Sequence, residues 1–194
     1  MGKRTLYLVR HGQYRIHLRE NGGLTDKGKT QSHLTAQALS GYPFSVIYCS
    51  PVLRAVQTAD IIAEELSAVE RHDNEALREC IPSIPTRYAA YFAGSHPDLT
   101  TERVTDCAER LDSAYREYFR PNAAETDTYE LIICHGNVIR YFVSRVLNLD
   151  GDGWSNMLIN NCGISRILID HDGQPFLVSH NDIGHIPEDL RTDN

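Results

Sequence analysis

Two apolar runs in this chain, LYLV at 6–9 and LIIC at 131–134, each lead into a histidine followed by a glycine. Short runs with no polar alternation read as strands buried on both faces, and such strands need helices to cover them. The stretches between supply helical patterns. Thr25 is placed to cap a helix running to about Ser40, where Gly41 and Pro43 stop it. FSVIYCS at 44–50 is a second buried strand, ending at Ser50-Pro51, a cap followed by a proline in the first helical position. In the helix PVLRAVQTADIIAEEL, Val52, Ala55, Val56, Ala59, Ile62 and Ala63 share one face.

A third strand is expected within 69–79. Residues 80–101, rich in Pro, Tyr, Gly and small residues without a clean period, read as an irregular excursion over the edge where a site is expected. A helix from about Thr101 to Phe119 follows and ends at Pro121. YELIICHG (129–136) is the clearest strand, and it runs into the helix NVIRYFVSRVLNL. Residues 164–170 and 175–179 form two strands around HDGQ, whose Asp-Gly pair marks a hairpin turn. The acidic, polar tail 186–194 reads as flexible. Alternating strands and helices imply a single α/β domain over 1–194, with a mainly parallel sheet covered on both faces.

The bulk properties narrow the function. A length of 194 residues suits one well-buried domain, and 41% hydrophobic residues argue against extensive disorder. With 19 basic and 26 acidic side chains the net charge is −7, which disfavours nucleic acid and anionic membranes as partners. A single phosphate in a locally basic pocket is not excluded. No stretch has the length and apolarity of a membrane span, and the first strand begins too early for a signal peptide. A cytoplasmic location is therefore expected, unless an anchoring or targeting segment belongs ahead of this chain. The five cysteines, at 49, 80, 107, 134 and 162, are odd in number and lack paired metal spacing, so reduced thiols are expected.

In parallel α/β sheets, ligands sit beyond the carboxyl ends of the strands. Here those ends carry Arg10-His11-Gly12, Cys49-Ser50-Pro51 and His135-Gly136-Asn137. A satisfied core histidine beside a surface arginine is the plain reading of Arg10-His11 taken alone. Recurrence of His-Gly at a second strand end favours a site instead. A neutral imidazole is a nucleophile, and nearby cations favour its neutral form while attracting a phosphoryl group. Arg54, in the first turn of the next helix, is placed to join Arg10 in gripping one anion.

LVRHGQ, LTDKGKTQ, SPVLRAVQTA and CHGNVIRYF, in that order from Leu8 to Phe142, resemble the histidine phosphatase superfamily, the phosphoglycerate mutase-like proteins. RHGQY, LRECIPSIP and ICHGNVIRYFVSRVL, with GHIP near the end, are most similar to a branch of protein serine/threonine phosphatases. The resemblance implies a three-layer α/β/α fold on a mainly parallel six-stranded sheet. It implies a catalytic set of His11 as nucleophile, Glu79 as general acid and base, and His135, with Arg10 and Arg54 binding phosphate. Gln13 and Asn137 are secondary contacts in this reading, and Arg140 is either a further contact or a helix-packing residue. His17 departs from the mutase pattern, which has asparagine there. The remaining histidines, including His96, read as surface or loop residues.

The expected reaction is metal-independent hydrolysis of phosphomonoesters through a phosphohistidine, with no cofactor. The expected substrates are phosphoserine and phosphothreonine in proteins. Small phosphorylated metabolites, phosphohistidine, and a silent binding module are the alternatives. Only about fifty residues separate Glu79 from LIIC, which suits an open site better than a mutase's shielded one. A homodimer is implied by the resemblance alone.

Overall fold

The apolar runs become the middle of the sheet. In the computed structural model, which describes residues 2–66, 69–95 and 98–193, six strands pair in the order β3-β2-β4-β1-β5-β6. They are β1 (Arg4–Arg10), β2 (Phe44–Cys49), β3 (Glu70–Asp73), β4 (Thr128–Cys134), β5 (Ile164–Ile169) and β6 (Pro175–Asp182). The first four run parallel, while β5 and β6 are antiparallel additions at one side.

Because side chains alternate along a strand, each run serves two cores. Tyr7 and Val9 of β1 face α1 (Asp26–Leu39) and α2 (Leu53–Leu66), packing with Ala36, Leu39, Ala55, Ala59 and Ile62. Leu6 and Leu8 face α4 (Thr101–Tyr118) and α5 (Gly136–Val146), packing with Leu111, Ala114, Ile139, Phe142 and Val143. At the far end of the sheet, the buried Arg4 pairs with Glu130 and donates to the carbonyl of Tyr118, pinning β1 to β4 and to the end of α4. Thr25 caps α1 as expected, accepting from the Gly28 N–H at 3.0 Å. Among the described residues, no helix is long and apolar enough to cross a membrane.

Four expectations need correction. Helix α2 begins at Leu53, so Pro51 lies ahead of it, and the Ser50 hydroxyl is engaged with a histidine of the site. The excursion is partly helical: Thr86–Tyr88 make a 3-10 turn and Ala89–Ser95 form α3. Two of its prolines, at 82 and 85, precede the helix and hide its short Ala-rich run. It is pinned by Trp154 Nε1 donating to Ser83 Oγ at 2.7 Å and by the Thr86 N–H on Asp152 at 2.8 Å. Cys80 and Cys107 are joined in a disulfide, and only Cys49, Cys134 and Cys162 are free thiols. Spacing along the chain cannot reveal that pair, because it bridges two elements that meet only in the fold.

The tail is also held. Ile186 is buried, the Asn161 N–H donates to Thr192 O at 2.8 Å, and Gln31 Nε2 donates to Leu190 O at 2.7 Å. Its polar residues suggested mobility, but the domain engages its backbone carbonyls and the Thr192 hydroxyl. His96 lies outside the described residues.

The loop after β1 lies directly on α1. A Cβ at Gly28 would come within 2.0 Å of the Gln13 carbonyl oxygen, and one at Gly12 within 2.5 Å of the Gly28 oxygen. Helix propensity alone would make Gly28→Ala stabilising by up to about 1 kcal/mol. The backbone contact reverses the sign, and a loss of about 1–3 kcal/mol is expected from overpacking. Urea unfolding checks this, and a midpoint at or above wild type contradicts it.

Candidate active site

Parallel pairing of β1 with β4 sets Arg10 opposite Cys134, which makes the next residues of both strands neighbours. The ladder continues past the strand ends: the His11 N–H donates to Cys134 O at 3.0 Å, and the Ser50 N–H to Ile133 O at 2.9 Å. His11 and His135 are consequently held side by side, with ring centroids 5.1 Å apart, and both are buried.

The tautomer of His11 follows from one contact. Its Nδ1 lies 2.8 Å from the Gly12 carbonyl oxygen, which can only accept, so the ring proton sits on Nδ1. Nε2 then carries the unshared pair, and Arg54 Nε donates to it at 3.0 Å. The loop that makes this geometry is itself fixed. The Gly12 N–H donates to Thr58 Oγ1 at 3.1 Å, and Thr58 donates to Arg54 O at 2.8 Å. Asn161 Nδ2 holds the His11 carbonyl at 3.1 Å from the other side.

Arg10 is buried, and one of its terminal nitrogens is spent on the carbonyls of Ile159 and Asp193, at 2.6 and 2.9 Å. These contacts orient the guanidinium and leave its Nε buried without a hydrogen-bond partner among the described residues. His135 Nε2 meets the Ser50 hydroxyl at 2.7 Å, while its buried Nδ1 is likewise unpartnered. Unsatisfied buried polar atoms are costly, and two of them on side chains next to His11 fit an anion pocket. Tyr14 closes one side, its ring 5.2 Å from that of His11 and 4.5 Å under the Arg54 guanidinium.

Charge sets the protonation states. Burial pushes the pKa of His11 well below its ordinary value, and His135, Arg10 and Arg54 add to the shift. Burial does the same to His135, helped by Arg54 and Arg10. Both imidazoles are neutral at pH 7. Glu79 moves the other way: burial raises its pKa, opposed by Arg10, Arg54 and the N–H groups of Asn137 and Cys80. The cluster therefore holds a neutral imidazole with an unshared Nε2 pair, two guanidinium groups and a carboxyl biased toward keeping its proton.

The other expected contacts are placed differently. Gln13 Oε1 accepts from the Thr25 hydroxyl at 2.9 Å, tying the loop to the first turn of α1. Asn137 Nδ2 donates to Cys80 O at 3.1 Å, so it supports the segment carrying Glu79. Arg140 donates to Asn137 Oδ1 at 3.2 Å and borders a cleft of about 690 Å³, walled by Tyr88, Tyr91, Phe92 and Trp154. His17 is exposed on the turn Ile16–Asn21. Sequence reading missed Ser50, Thr58 and Asn161 as supports. The Asn-Asn-Cys-Gly run was the available signal for the last, since Cys162 there adopts a φ of 58°.

Residues 6–183 match the histidine phosphatase superfamily (branch 1). The chain belongs to that superfamily. Among curated relatives, the mitochondrial serine/threonine-protein phosphatase PGAM5 of Mus musculus is 35% identical over 195 residues, covering 97% of this chain and 66% of its own length. The Caenorhabditis elegans Pgam5 is 36% identical over 190 residues, covering 95% of this chain and 64% of its own. The chain thus spans just under two thirds of the length of these relatives. Among solved structures, Bacillus stearothermophilus YhfR shares the fold with a TM-score of 0.75 at 21% identity, covering 95% of this chain and all of its own. The phosphoglycerate mutase of Plasmodium falciparum gives 0.67 at 28% identity, over 97% of this chain and 96% of its own. The phosphoglycerate mutase-like α/β fold expected from the sequence is the one observed.

The depressed histidines make stability depend on pH. Between their folded pKa values and the ordinary value of 6.5, the unfolded chain binds more protons than the native one. Their contribution is complete above about pH 6.5 and is lost as pH falls below it. Urea unfolding at pH 7.5 and 5.5 is expected to show lower stability at the acid pH, with a smaller difference in His11→Asn. Equal slopes in the two proteins contradict the shift assigned to His11.

Proposed function

We propose that this chain is a phosphatase that hydrolyses phosphomonoesters through a phosphohistidine on His11. The observation that carries this reading is the Nδ1–H tautomer, which leaves the Nε2 pair of a buried, neutral imidazole facing Arg54. In the first step Nε2 attacks phosphorus while the ester P–O bond breaks. Arg10, Arg54 and His135 stabilise charge on the equatorial oxygens, which supplies the neutralisation that a metal provides elsewhere. Glu79 gives its proton to the departing alkoxide, for which a raised pKa is suited. In the second step the Glu79 carboxylate takes a proton from water, whose oxygen attacks phosphorus and frees His11 with release of inorganic phosphate.

Phosphoserine and phosphothreonine in proteins are the proposed substrates. Family membership and the names of the curated relatives support a phosphatase acting on such residues. A cleft of about 690 Å³ bordered by Asn137 and Arg140, on the helix that follows His135, offers room for the chain flanking a phosphorylated residue.

The test is turnover of a phosphoserine peptide, an aryl phosphate and a phosphosugar, with a chelator present. Peptide turnover that survives chelation and vanishes in His11→Ala is expected. Arg54→Ala should lower kcat by about 10²–10³, as for loss of one charge-stabilising donor. Turnover of the phosphosugar alone would replace the protein substrate with a small metabolite. Turnover of all three unchanged in His11→Ala would contradict the mechanism.

A further inference from the structure

The segment bearing Glu79 belongs to no strand or helix, since it lies between the 3-10 turn Glu75–Leu77 and the excursion. A general acid must nevertheless be held to about 0.5 Å of its working position. Helix α4 grips this segment twice. Cys107 is bonded to Cys80, the residue next to Glu79. One turn along the same helix face, Arg110 Nη1 donates to the carbonyls of Glu75, Ala76 and Arg78 at 3.1, 2.8 and 3.0 Å. From α5, Asn137 Nδ2 holds the Cys80 carbonyl, while the Cys80 N–H donates to Glu79 Oε1 at 3.1 Å.

We propose that the Cys80–Cys107 disulfide is a positioning bond for Glu79, so that proton delivery to the leaving group depends on that bond being closed. This rests on the reading of Glu79 as the general acid. The domain itself does not hang on the bond. Helix α4 is anchored independently through Leu111, Ala114 and Tyr118, all buried in the core. His11, His135, Arg10 and Arg54 are fixed by strand ends and by α2. Opening the bond therefore loosens the acid and spares the nucleophile. A dithiol opens it by exchange: one thiolate attacks a cysteine sulfur and displaces the other cysteine as thiolate. The second thiol then closes on the mixed disulfide. Two electrons pass to the protein, giving two cysteine thiols and an oxidised cyclic disulfide.

The leaving group provides the readout. A serine alkoxide needs a proton to depart, whereas 2,4-dinitrophenolate does not. Wild type, before and after dithiothreitol, is compared with Cys107→Ser, Arg110→Met and Glu79→Gln on a phosphoserine peptide and on 2,4-dinitrophenyl phosphate. Alkylation under denaturing conditions counts the thiols, with three expected before reduction and all five cysteines after. Reduction and Cys107→Ser are each expected to lower kcat/KM, which reads the first step alone, by roughly tenfold or more on the peptide. They should leave kcat/KM for the aryl ester within about twofold. The first step is the one to compare, because the later water-attack step that uses Glu79 as base is common to both substrates. Arg110→Met should shift the ratio in the same direction, and reduction should add nothing in Glu79→Gln.

Equal losses of kcat/KM on both substrates would overturn the proposal, because the bond would then serve only the domain's stability. So would an unchanged peptide rate on reduction, or five reactive thiols before it. A Glu79→Gln protein with full peptide activity would sink the acid assignment itself. That outcome is distinct from one in which Glu79→Gln is impaired but reduction is harmless.

Discussion

Everything in the site depends on how β1 and β4 are paired. Their parallel register sets Arg10 level with Cys134, and the hydrogen bond from His11 N to Cys134 O carries that alignment one residue beyond the strands. A slip of one residue would turn His11 toward the other face of the sheet and disperse the cluster. The register is protected at both ends. The Arg4–Glu130 pair fixes the far end, and the apolar runs between them face two separate cores.

Burying two histidines and two arginines together, with the half-buried Glu79 carboxyl within their electrostatic reach, opposes folding, and the domain compensates in several ways. The imidazoles stay neutral, because desolvation and the neighbouring guanidinium groups both penalise their charged forms. The backbone supplies acceptors for the buried donors: Gly12 O for the neutral His11 ring, and the carbonyls of Ile159 and Asp193 for Arg10. Two of the four buried polar atoms that lack partners among the described residues, Arg10 Nε and His135 Nδ1, belong to side chains next to His11. Unmet hydrogen-bonding capacity there is what a site for an anion requires before the anion arrives.

Much of this was legible in the sequence, for identifiable reasons. Strands β1 and β4 announced themselves because burial on both faces demands uninterrupted apolar runs, and their His-Gly endings marked the edge that matters. Arg54 was readable from its place in the first turn after a buried strand. Glu79 was not, since it sits in irregular chain among other acidic residues, and only the family resemblance singled it out. Long-range partners escaped as well. Cys80 with Cys107, Ser50 with His135 and the docked tail all depend on elements that meet only after folding. The Ser50-Pro51 pair was readable only in part: the Ser50 hydroxyl accepts from the Val52 N–H at 3.4 Å ahead of α2, but it also meets His135, and the helix begins two residues beyond Pro51.

In the proposed reaction, hydrogen bonding to Gly12 reserves Nε2 of His11 for phosphorus. Rapid acid-free quenching of the enzyme during turnover, followed by ³¹P NMR of the denatured phosphoprotein, reads which atom carries the phosphoryl group. A phosphoramidate on Nε2 of His11, absent from His11→Ala, is the expected result. Phosphate on Nδ1, on His135, or on no protein atom at all during steady turnover would contradict it.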